Sequence, residues 1–504
     1  MDPAGQHLIA VAAATPDKPA LVMHPSGETR TYAELDAASA RLARLLRDRG
    51  LRRGDHLAVL LDNQPEFFDA VWAANRIGVY VTPINHHLTA AEAGYIVADC
   101  EASALVATAR LADVVTAMEG DLGKVTTRIA VDGDLPGFER YEDLVAGVDG
   151  GPLDDESEGS WMLYSSGTTG KPKGILPPLP EGDLGAPSMI TWMLTGMFGM
   201  GPDSVYLSPA PLYHASPAGW THGVQRIGAT PVVMERFDAA DLLAAIERHR
   251  VTHVQLVPTM MIRLLKLPEE DRARFDLSSL EMVIHAAAPC PVDVKQRFIE
   301  WIGPIVHEFY SGSEGAGLCY IGPEEWLAHP GSVGRSMTGA IRILDDDGNE
   351  LPPGEEGQVW FETNRHLEYH GDPEKTKAAW DRDNGRAWLG DVGQLDEDGY
   401  LYLTDRASNM IISGGVNIYP REIEDVLVVH PDVDDVAVLG TPDPDMGEQV
   451  TAFVLRTPGA EVSADELVAW CRARLSHFKC PKEVRFVDSL PRLPTGKLLK
   501  RLLL

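Results

Sequence analysis

The chain has 504 residues, which at about 150 residues per domain predicts roughly two or three domains. Its 44 Lys and Arg residues against 75 Asp and Glu residues give a formal net charge of -31, which excludes a general nucleic-acid or anionic-membrane binder because such surfaces need positive potential. The hydrophobic fraction of 44% and the charged fraction of 24% are those of globular proteins and exclude global disorder.

The cysteine pattern indicates a reducing compartment. The five cysteines are odd in number and form no CxxC pair, so we expect neither a disulfide framework nor a structural zinc site, and the cytosol fits. No apolar run reaches about 18 residues, so no membrane span is expected. The first residues, MDPAGQHLIA, include an acid and no basic region, which predicts mature protein rather than a signal peptide.

The first 150 residues alternate between strand and helix patterns. Apolar runs predict strands at His56–Leu61, Val79–Pro83 and Ala104–Thr108, and helical spacing of large apolar residues predicts a helix over Pro65–Ile77. Such alternation predicts a parallel sheet covered by helices on both faces.

The middle of the chain repeats this α/β pattern. We predict helices at Ala239–His249 and Met260–Lys266, and strands at Thr252–Val257 and Met282–Ala287. A second α/β subdomain is therefore expected.

The sequence pattern changes after about residue 335. Strand patterns at Ala340–Leu344 and Gly357–Phe361 flank an Asp-Asp-Asp-Gly turn, and Asp396–Leu403 repeats the turn and strand, which predicts a small antiparallel β subdomain. The last 100 residues or so return to α/β patterns, a size typical of a small domain. Their predicted elements are the helices Arg421–His430 and Ala464–Leu475 and the strands Val436–Leu439 and Val450–Leu455.

The most informative stretch is Tyr164-Ser-Ser-Gly-Thr-Thr-Gly-Lys-Pro-Lys-Gly174. Glycines let backbone N–H groups converge on an anion, hydroxyls add donors and lysines add positive charge, so the composition is that of a phosphate cradle. A flexible surface loop is the alternative on composition alone. A P-loop is excluded by spacing, because only two residues separate Gly167 from Gly170 and Pro172 follows Lys171.

This loop resembles the signature of the adenylate-forming superfamily, which includes acyl-CoA synthetases, and further motifs follow in the family's order along essentially the whole chain. They are Pro211-Leu-Tyr-His214, Tyr310-Ser-Gly-Ser-Glu314, Trp388-Leu-Gly-Asp391, Asp405-Arg406, Ser413-Gly-Gly-Val-Asn417 and Pro494-Thr-Gly-Lys497. The resemblance implies an α/β fold with a large N-terminal AMP-binding domain at 1–405, built of two α/β sheet subdomains and a β subdomain. A small mobile α+β domain at 406–504 and a homodimer are also implied.

The resemblance implies a first half-reaction in which a carboxylic acid attacks the α-phosphate of ATP and releases pyrophosphate. The ATP and AMP site would comprise Ser165, Ser166, Gly167, Thr168, Thr169, Gly170, Lys171, Ala287, Tyr310, Ser313, Glu314, Asp391, Arg406 and Lys497. The catalytic set would be Lys497, Glu314, His214 and Thr169. Glu314 and Thr169 would bind Mg²⁺, a hard cation that takes oxygen ligands.

Four of these residues have distinct implied roles. Tyr310 would stack on adenine, and Asp391 would accept the ribose hydroxyls, with Arg406 adding a ribose contact. Lys497 would bridge carboxylate and α-phosphate oxygens and stabilise the developing charge. Without the family context, each would be read as an ordinary core or surface residue.

In the implied second half-reaction the C-terminal domain swings, and the thiol of coenzyme A attacks the adenylate through a tunnel lined by Gly414 and Gly415. The hinge would be Ser408. Relatives usually carry Asp or Lys there, followed by Asp, whereas this chain has Ser408-Asn409, which weakens any charge-based account of the switch.

The acyl pocket would include His214, Trp220, Ala288, Ser311 and Gly312. No Asp or Glu lies at positions 207–234, which disfavours an α-amino acid substrate because nothing there would pair its ammonium. Prolines at 175–185 break the strand that relatives carry there. Aliphatic, aromatic and steroid-like acids all remain open.

Two alternatives to an acyl-CoA ligase stay open. An adenylate-forming enzyme could pass the acyl group to a carrier protein or another nucleophile, and a catalytically silent regulator could bind nucleotide only. The acidic net charge does not conflict with ATP and CoA as substrates, because positions 471–504 hold nine Lys and Arg against two Asp and Glu, a local charge of 9 − 2 = +7.

Overall fold

The structure is a computed structural model that describes residues 6–165, 172–182, 184–365, 368–406, 409–413, 416–444, 446–492, 498 and 502–503, with the backbone alone for Ser165, Arg406 and Asn417. Its helices are α1 (Leu8–Ala14), α2 (Tyr32–Asp48), α3 (Pro65–Asn75), α4 (Ala90–Asp99), α5 (Ala112–Ala117), α6 (Tyr141–Val145), α7 (Met189–Trp192), α8 (Ala215–Arg226), α9 (Ala239–His249), α10 (Pro258–Lys266), α11 (Glu269–Arg272), α12 (Val292–Ile302), α13 (Pro323–Ala328), α14 (Pro373–Ala379), α15 (Pro420–Val428) and α16 (Ala464–Arg472).

The strands up to the middle of the chain are β1 (Pro19–His24), β2 (Thr29–Thr31), β3 (His56–Leu60), β4 (Tyr80–Pro83), β5 (Ala104–Thr108), β6 (Thr127–Val131), β7 (Glu139–Arg140), β8 (Ser160–Trp161), β9 (Leu163–Ser165), β10 (Lys173–Ile175), β11 (Val205–Ser208), β12 (Thr230–Met234), β13 (His253–Leu256) and β14 (Met282–His285). Those that follow are β15 (Val306–Ser311), β16 (Leu318–Ile321), β17 (Arg335–Ser336), β18 (Ile341–Leu344), β19 (Gly357–Glu362), β20 (Trp380–Asp381), β21 (Arg386–Leu395), β22 (Leu401–Arg406), β23 (Ile411–Ser413), β24 (Val416–Ile418), β25 (Val433–Asp443), β26 (Gly447–Arg456) and β27 (Glu483–Phe486).

The chain divides into two compact units. Unit 1 comprises residues 1–256, 267–283 and 366–376. It contains a parallel sheet in the order β7-β6-β5-β3-β4-β8 and a second set of strands in the order β13-β11-β12-β1-β2, which is parallel except for β2. The two predicted α/β subdomains are confirmed.

The core of unit 1 forms where α2 and α3 cover the sheets. Helix α2 begins at a capping box, in which Thr31 Oγ1 accepts from Glu34 N–H and the Glu34 carboxylate accepts from Thr31 N–H. Trp72 is fully buried, and its indole N–H donates to Gln225 on α8 at 2.7 Å. This bond fixes α8, the helix that carries Trp220, one of the predicted acyl residues.

Unit 2 comprises residues 257–266, 284–365 and 377–504 and is richer in antiparallel pairing. It holds the strands β15-β16-β17, a five-stranded sheet of order β18-β19-β21-β20 with β22 on β21, and a C-terminal sheet of order β24-β23-β26-β25 with β27 parallel to β26. The predicted β subdomain and small α+β domain are both present.

Several predicted boundaries differ from the structure, most of them by one to three residues. The predicted strand Met282–Ala287 ends at His285, because Ala287 has a left-handed backbone that leaves the extended conformation. Helix α10 begins at Pro258, two residues before the predicted start. Strands β25 and β26 are 11 and 10 residues long, since the hairpin continues through the polar pair Thr441 and Gln449.

The five cysteines are all free and buried. Burial raises the pKa of the Cys100 and Cys471 thiols to about 12, and it also raises the pKa of Cys290, Cys319 and Cys480. All five thiols are therefore protonated at neutral pH. This agrees with the prediction that the chain has no disulfide framework.

Candidate active site

The candidate ribose and adenine residues meet in unit 2. Tyr310, on β15, donates its phenol proton to Asp391 Oδ2 on β21 at 2.5 Å. Asp391 is buried, and the indole N–H of Trp388 donates to its carbonyl. The backbone of Arg406 lies directly opposite Asp391 in the β21–β22 ladder. The structure thus brings together the three residues that the sequence assigned to the nucleoside.

The short segment after β14 supplies a small, exposed surface. Ala287 has φ +71°, a left-handed conformation that disfavours any residue with a Cβ by about 1–2 kcal/mol. Such strain persists where the surrounding structure holds it, and it is common at ligand sites. Ala287 is exposed and Ala288 is partly buried, and neither side chain extends beyond a methyl group.

The loop after β15 presents a carboxylate. Gly315 N–H donates to Gly312 O at 3.0 Å and closes a turn, and Ser311 Oγ donates to Gly317 O at 2.6 Å. A Cβ on Gly312 would lie 2.6 Å from Glu314 Oε2, so the Glu314 carboxylate folds back over that glycine. Ser313 is exposed beside it.

The oxygens of Glu314 suit a magnesium ion. Among the residues described, no group of three His, Cys, Asp or Glu side chains is placed to hold a metal. Mg²⁺ that is bound through one carboxylate and through substrate phosphates needs no such group, so a single glutamate fits this mode. Thr169, the other predicted ligand, lies outside the described residues.

Two of the candidate acyl residues, His214 and Trp220, lie in unit 1, and the other three, Ala288, Ser311 and Gly312, lie in unit 2. His214 precedes the first turn of α8, and its ring lies 4.4 Å from that of Tyr213. Trp220 is buried, with its ring centroid 5.2 Å from Phe198 and 6.1 Å from Tyr206. His214 is the N-cap of α8 and Trp220 lies within this helix, which Trp72 contacts through Gln225.

The predicted phosphate loop lies in the sequence between two paired strands. Strands β9 and β10 are antiparallel, and the backbone of Ser165 pairs with Lys173 across them. Lys173 Nζ lies 2.9 Å from Asp372, which raises the pKa of the lysine through that hydrogen bond, so this lysine secures the end of the loop. Strand β10 ends at Ile175, and no helix or strand is present in the described residues from there to Met189, as the prolines predicted.

Several predicted residues lie outside the described part of the chain. They are Ser166, Gly167, Thr168, Thr169, Gly170, Lys171, Ser408, Gly414, Gly415 and Lys497.

Sequence reasoning missed a polar chain beside His214. Gln255, at the end of β13, accepts a hydrogen bond from Tyr206 at 3.2 Å and donates one to Ser216, in the first turn of α8, at 2.7 Å. The only sequence signal is one glutamine inside the apolar run His253-Val-Gln-Leu-Val257, which is easily mistaken for core.

Comparisons with known proteins agree with this arrangement. Residues 8–366 match the AMP-binding enzyme family, and residues 422–497 match the AMP-binding enzyme C-terminal domain. A feruloyl-CoA synthase of Amycolatopsis sp is 35% identical over 489 residues, which cover 95% of this chain and 94% of that protein. A long-chain fatty acid–CoA ligase of Mycobacterium tuberculosis is 33% identical, with 95% and 94% covered.

A solved structure has the same fold. An amide bond synthetase from Marinactinospora thermotolerans superposes with a TM-score of 0.82 at 29% identity, over 99% of both chains. Fold and matches together define an enzyme that forms adenylates. The chain belongs to the AMP-binding enzyme family, in its acyl-CoA synthetase branch.

As a member of this branch, the protein is an AMP-forming acid–thiol ligase. It activates a carboxylic acid with ATP to an acyl-adenylate and transfers the acyl group to the thiol of coenzyme A. No helix among the described residues is long and apolar enough to cross a membrane.

Proposed function

We propose that the protein makes the CoA thioester of a compact aromatic carboxylic acid, with adenosine held by Ala287, Tyr310, Asp391 and Arg406. The hydrogen bond between Tyr310 and Asp391 carries the assignment of the adenosine site. It links a ring that can stack on a base to a carboxylate that can accept two hydroxyls.

We further propose that residues 165–171 hold the phosphates and that Glu314 and Thr169 bind Mg²⁺, which neutralises phosphate charge when bound. Lys497 then stabilises the charge that develops as the carboxylate attacks. Ser313 contributes a hydroxyl to the α-phosphate. The exposed position of Ser313 and the folded-back Glu314 carboxylate support this division of roles.

Residues 406–504 are proposed to move as one domain about Ser408, with Gly414 and Gly415 lining the CoA tunnel. Two apolar side chains flank the glycine pair and are exposed, Ile412 at 50% and Val416 at 45%. Exposed apolar groups on the strands at either side support contact with the methyl and methylene groups of the pantetheine arm.

The aromatic substrate class is supported by the packing around α8. Trp220 of α8 packs against Phe198 and Tyr206, so aromatic rings occupy the space next to this helix. This packing favours an acyl group that is a compact ring over one that is a long chain. Ala288, Ser311 and Gly312 of unit 2 are also proposed as acyl residues, and all three are small. The name of the 35% identical relative refers to a feruloyl group, which is aromatic.

The free, buried cysteines support a cytoplasmic location. A homodimer stays a prediction, and sedimentation of the purified protein would test it.

The deciding experiment measures AMP release with ATP, Mg²⁺ and CoA across ferulate, benzoate, octanoate and palmitate. We expect CoA-dependent AMP with the aromatic acids, and a fall of about 10²-fold or more in Lys497→Ala. Lys482→Ala, an exposed lysine of the same basic segment, is the matched control.

AMP release with octanoate and palmitate only would overturn the proposed aromatic substrate class, but not the proposed ligase activity. AMP release that hydroxylamine supports and CoA does not would favour transfer to a nitrogen nucleophile. Absence of AMP with every acid would overturn the function.

A further inference from the structure

A buried ionic cluster lies in unit 2, outside the groups assigned to substrates. Lys295 Nζ is 2.6 Å from Glu308 Oε2, and His285 Nε2 is 3.4 Å from the same oxygen. Lys295 and His285 are fully buried, and Glu308 is 5% exposed. The ammonium of Lys295 also lies 4.8 Å from the ring centroid of Trp326.

A cluster of this kind needs an explanation, because the free-energy cost of removing two charges from water offsets most of their attraction. A buried ion pair therefore adds little net stability, although it can fix local geometry. Burial lowers the pKa of His285 to about 3, so the imidazole is neutral and Lys295 supplies the positive charge.

Two residues of the cluster, His285 and Lys295, lie on either side of the segment that contains Ala287. His285 is the last residue of β14, and Lys295 lies in α12, so the segment 286–291 runs from one to the other. Lys295 donates a hydrogen bond to Glu308 Oε2, and His285 Nε2 lies 3.4 Å from the same oxygen, so both ends of the segment lie against β15. The left-handed φ of Ala287 lies between these two anchors.

Glu308 also belongs to the strand of Tyr310. Residues two apart on a strand project from the same face, so the carboxylate and the phenol share one side of β15. Tyr310 in turn donates to Asp391. Strand β15 therefore links the Lys295–Glu308 pair to Tyr310 and the proposed adenosine site.

We infer that Lys295, Glu308 and His285 are positioning residues that hold the Ala287 segment in register with Tyr310 and thereby set the affinity for ATP. They touch no substrate. The inference rests on the proposed adenosine site. Strained backbone persists only where its surroundings determine it, and this cluster determines both ends of the segment.

The test compares Glu308→Gln, Lys295→Met and the double variant in carboxylate-dependent pyrophosphate release. We expect the KM for ATP to rise about tenfold or more, with the KM for the acid within about twofold. The double variant should recover the melting temperature that the single variants lose, because it buries no unpaired charge, but it should keep the raised KM for ATP.

A double variant with the KM for ATP of the unmodified protein would overturn the inference, because the cluster would then be structural only. If the charge variants do not fold, His285→Asn decides, since it replaces a neutral group and should also raise the KM for ATP. Asp293→Asn breaks an exposed ion pair with Arg297 on the same helix and serves as the control.

Asp391→Asn separates this inference from the proposed site. A raised KM for ATP in Asp391→Asn, with no change in the cluster variants, would overturn the positioning role alone. An unchanged KM in Asp391→Asn would overturn the adenosine site itself.

Discussion

The phenol of Tyr310 donates a hydrogen bond to the carboxylate of Asp391, across 81 residues of sequence. The bond orients the carboxylate, so less side-chain freedom would be lost on binding ribose at the site proposed above. Two residues assigned to different parts of adenosine therefore act as one preformed unit.

Tyr310→Phe tests this unit. The variant keeps the ring for stacking and removes the donor. A hydrogen bond to a charged group contributes about 1.5–3 kcal/mol, so we expect the KM for ATP to rise about tenfold or more while kcat changes less. Tyr402→Phe removes a tyrosine–aspartate bond to Asp396 on the same sheet and should leave the KM for ATP unchanged. Equal effects of the two variants would contradict the assignment.

A buried ion pair in unit 1 should be costly to break by removing one of its partners. Glu158 pairs with Arg226 on α8 and also accepts from Asn75 at 3.1 Å and from Gly185 N–H at 2.8 Å. Both charged side chains are at most 6% exposed, so Glu158→Ala leaves an uncompensated buried guanidinium. We expect a loss of about 3–5 kcal/mol in the free energy of unfolding, measured with urea.

The control for this prediction is an exposed pair. Arg250 and Asp276 are 63% and 50% exposed, so Asp276→Ala should change the free energy of unfolding by about 1 kcal/mol or less. A similar loss in both variants would show that burial does not determine the effect.

Gly334 is required for two separate reasons. Its φ is +93°, and a Cβ there would lie 1.9 Å from the carbonyl oxygen of Tyr320. Gly348 has a similar φ of +83° with open space around it. Gly348→Ala should therefore lower the free energy of unfolding by about 1 kcal/mol. Gly334→Ala should lower it by roughly 1–3 kcal/mol more, because the backbone of Tyr320 must move away from the new Cβ. Equal melting temperatures of the two variants would contradict this account.

Asp69 makes the stability of the protein depend on pH. Burial raises the pKa of this carboxyl from 3.8 to about 7, and Tyr141 donates a 3.0 Å hydrogen bond to it. Because the folded pKa lies above the unfolded value, folding favours the protonated form. Stability therefore falls as pH rises from about 4 to about 7, by about 1.4 kcal/mol for each unit of pKa difference, and stays lower above that range.

Asp69→Asn cannot ionise, so its free energy of unfolding should fall less between pH 5 and pH 8 than that of the unmodified protein. Urea unfolding at both pH values measures the difference. Asp154→Asn, an exposed carboxylate, should follow the unmodified protein. Parallel pH curves for all three proteins would rule out ionisation of Asp69 as the cause.

Local patterns predicted much of the fold. The strand Ala104–Thr108 and the helix Ala239–His249 have the predicted bounds, because hydrophobic periodicity reports burial directly. Strands β25 and β26 are longer than predicted, because polar pairs such as Thr441 with Gln449 extend the ladder and give no apolar pattern in the sequence. Backbone pairing there does not depend on apolar side chains.

The site could be predicted only in part. Motifs identified Tyr310 and Asp391, but their hydrogen bond depends on how β15 and β21 pack, which no local pattern records. Lys295 reads as an ordinary helix lysine, and its burial against Glu308 arises from tertiary packing. The left-handed conformation of Ala287 is likewise invisible in a run of alanines.

The buried cysteines have a chemical consequence for catalysis. An acyl-adenylate is an electrophile, and the thiolate, rather than the protonated thiol, is the strong sulfur nucleophile. All five thiols of this chain are buried, with raised pKa values. The enzyme is therefore protected against acylating its own sulfur, and the thiol of coenzyme A meets the adenylate without an internal competitor.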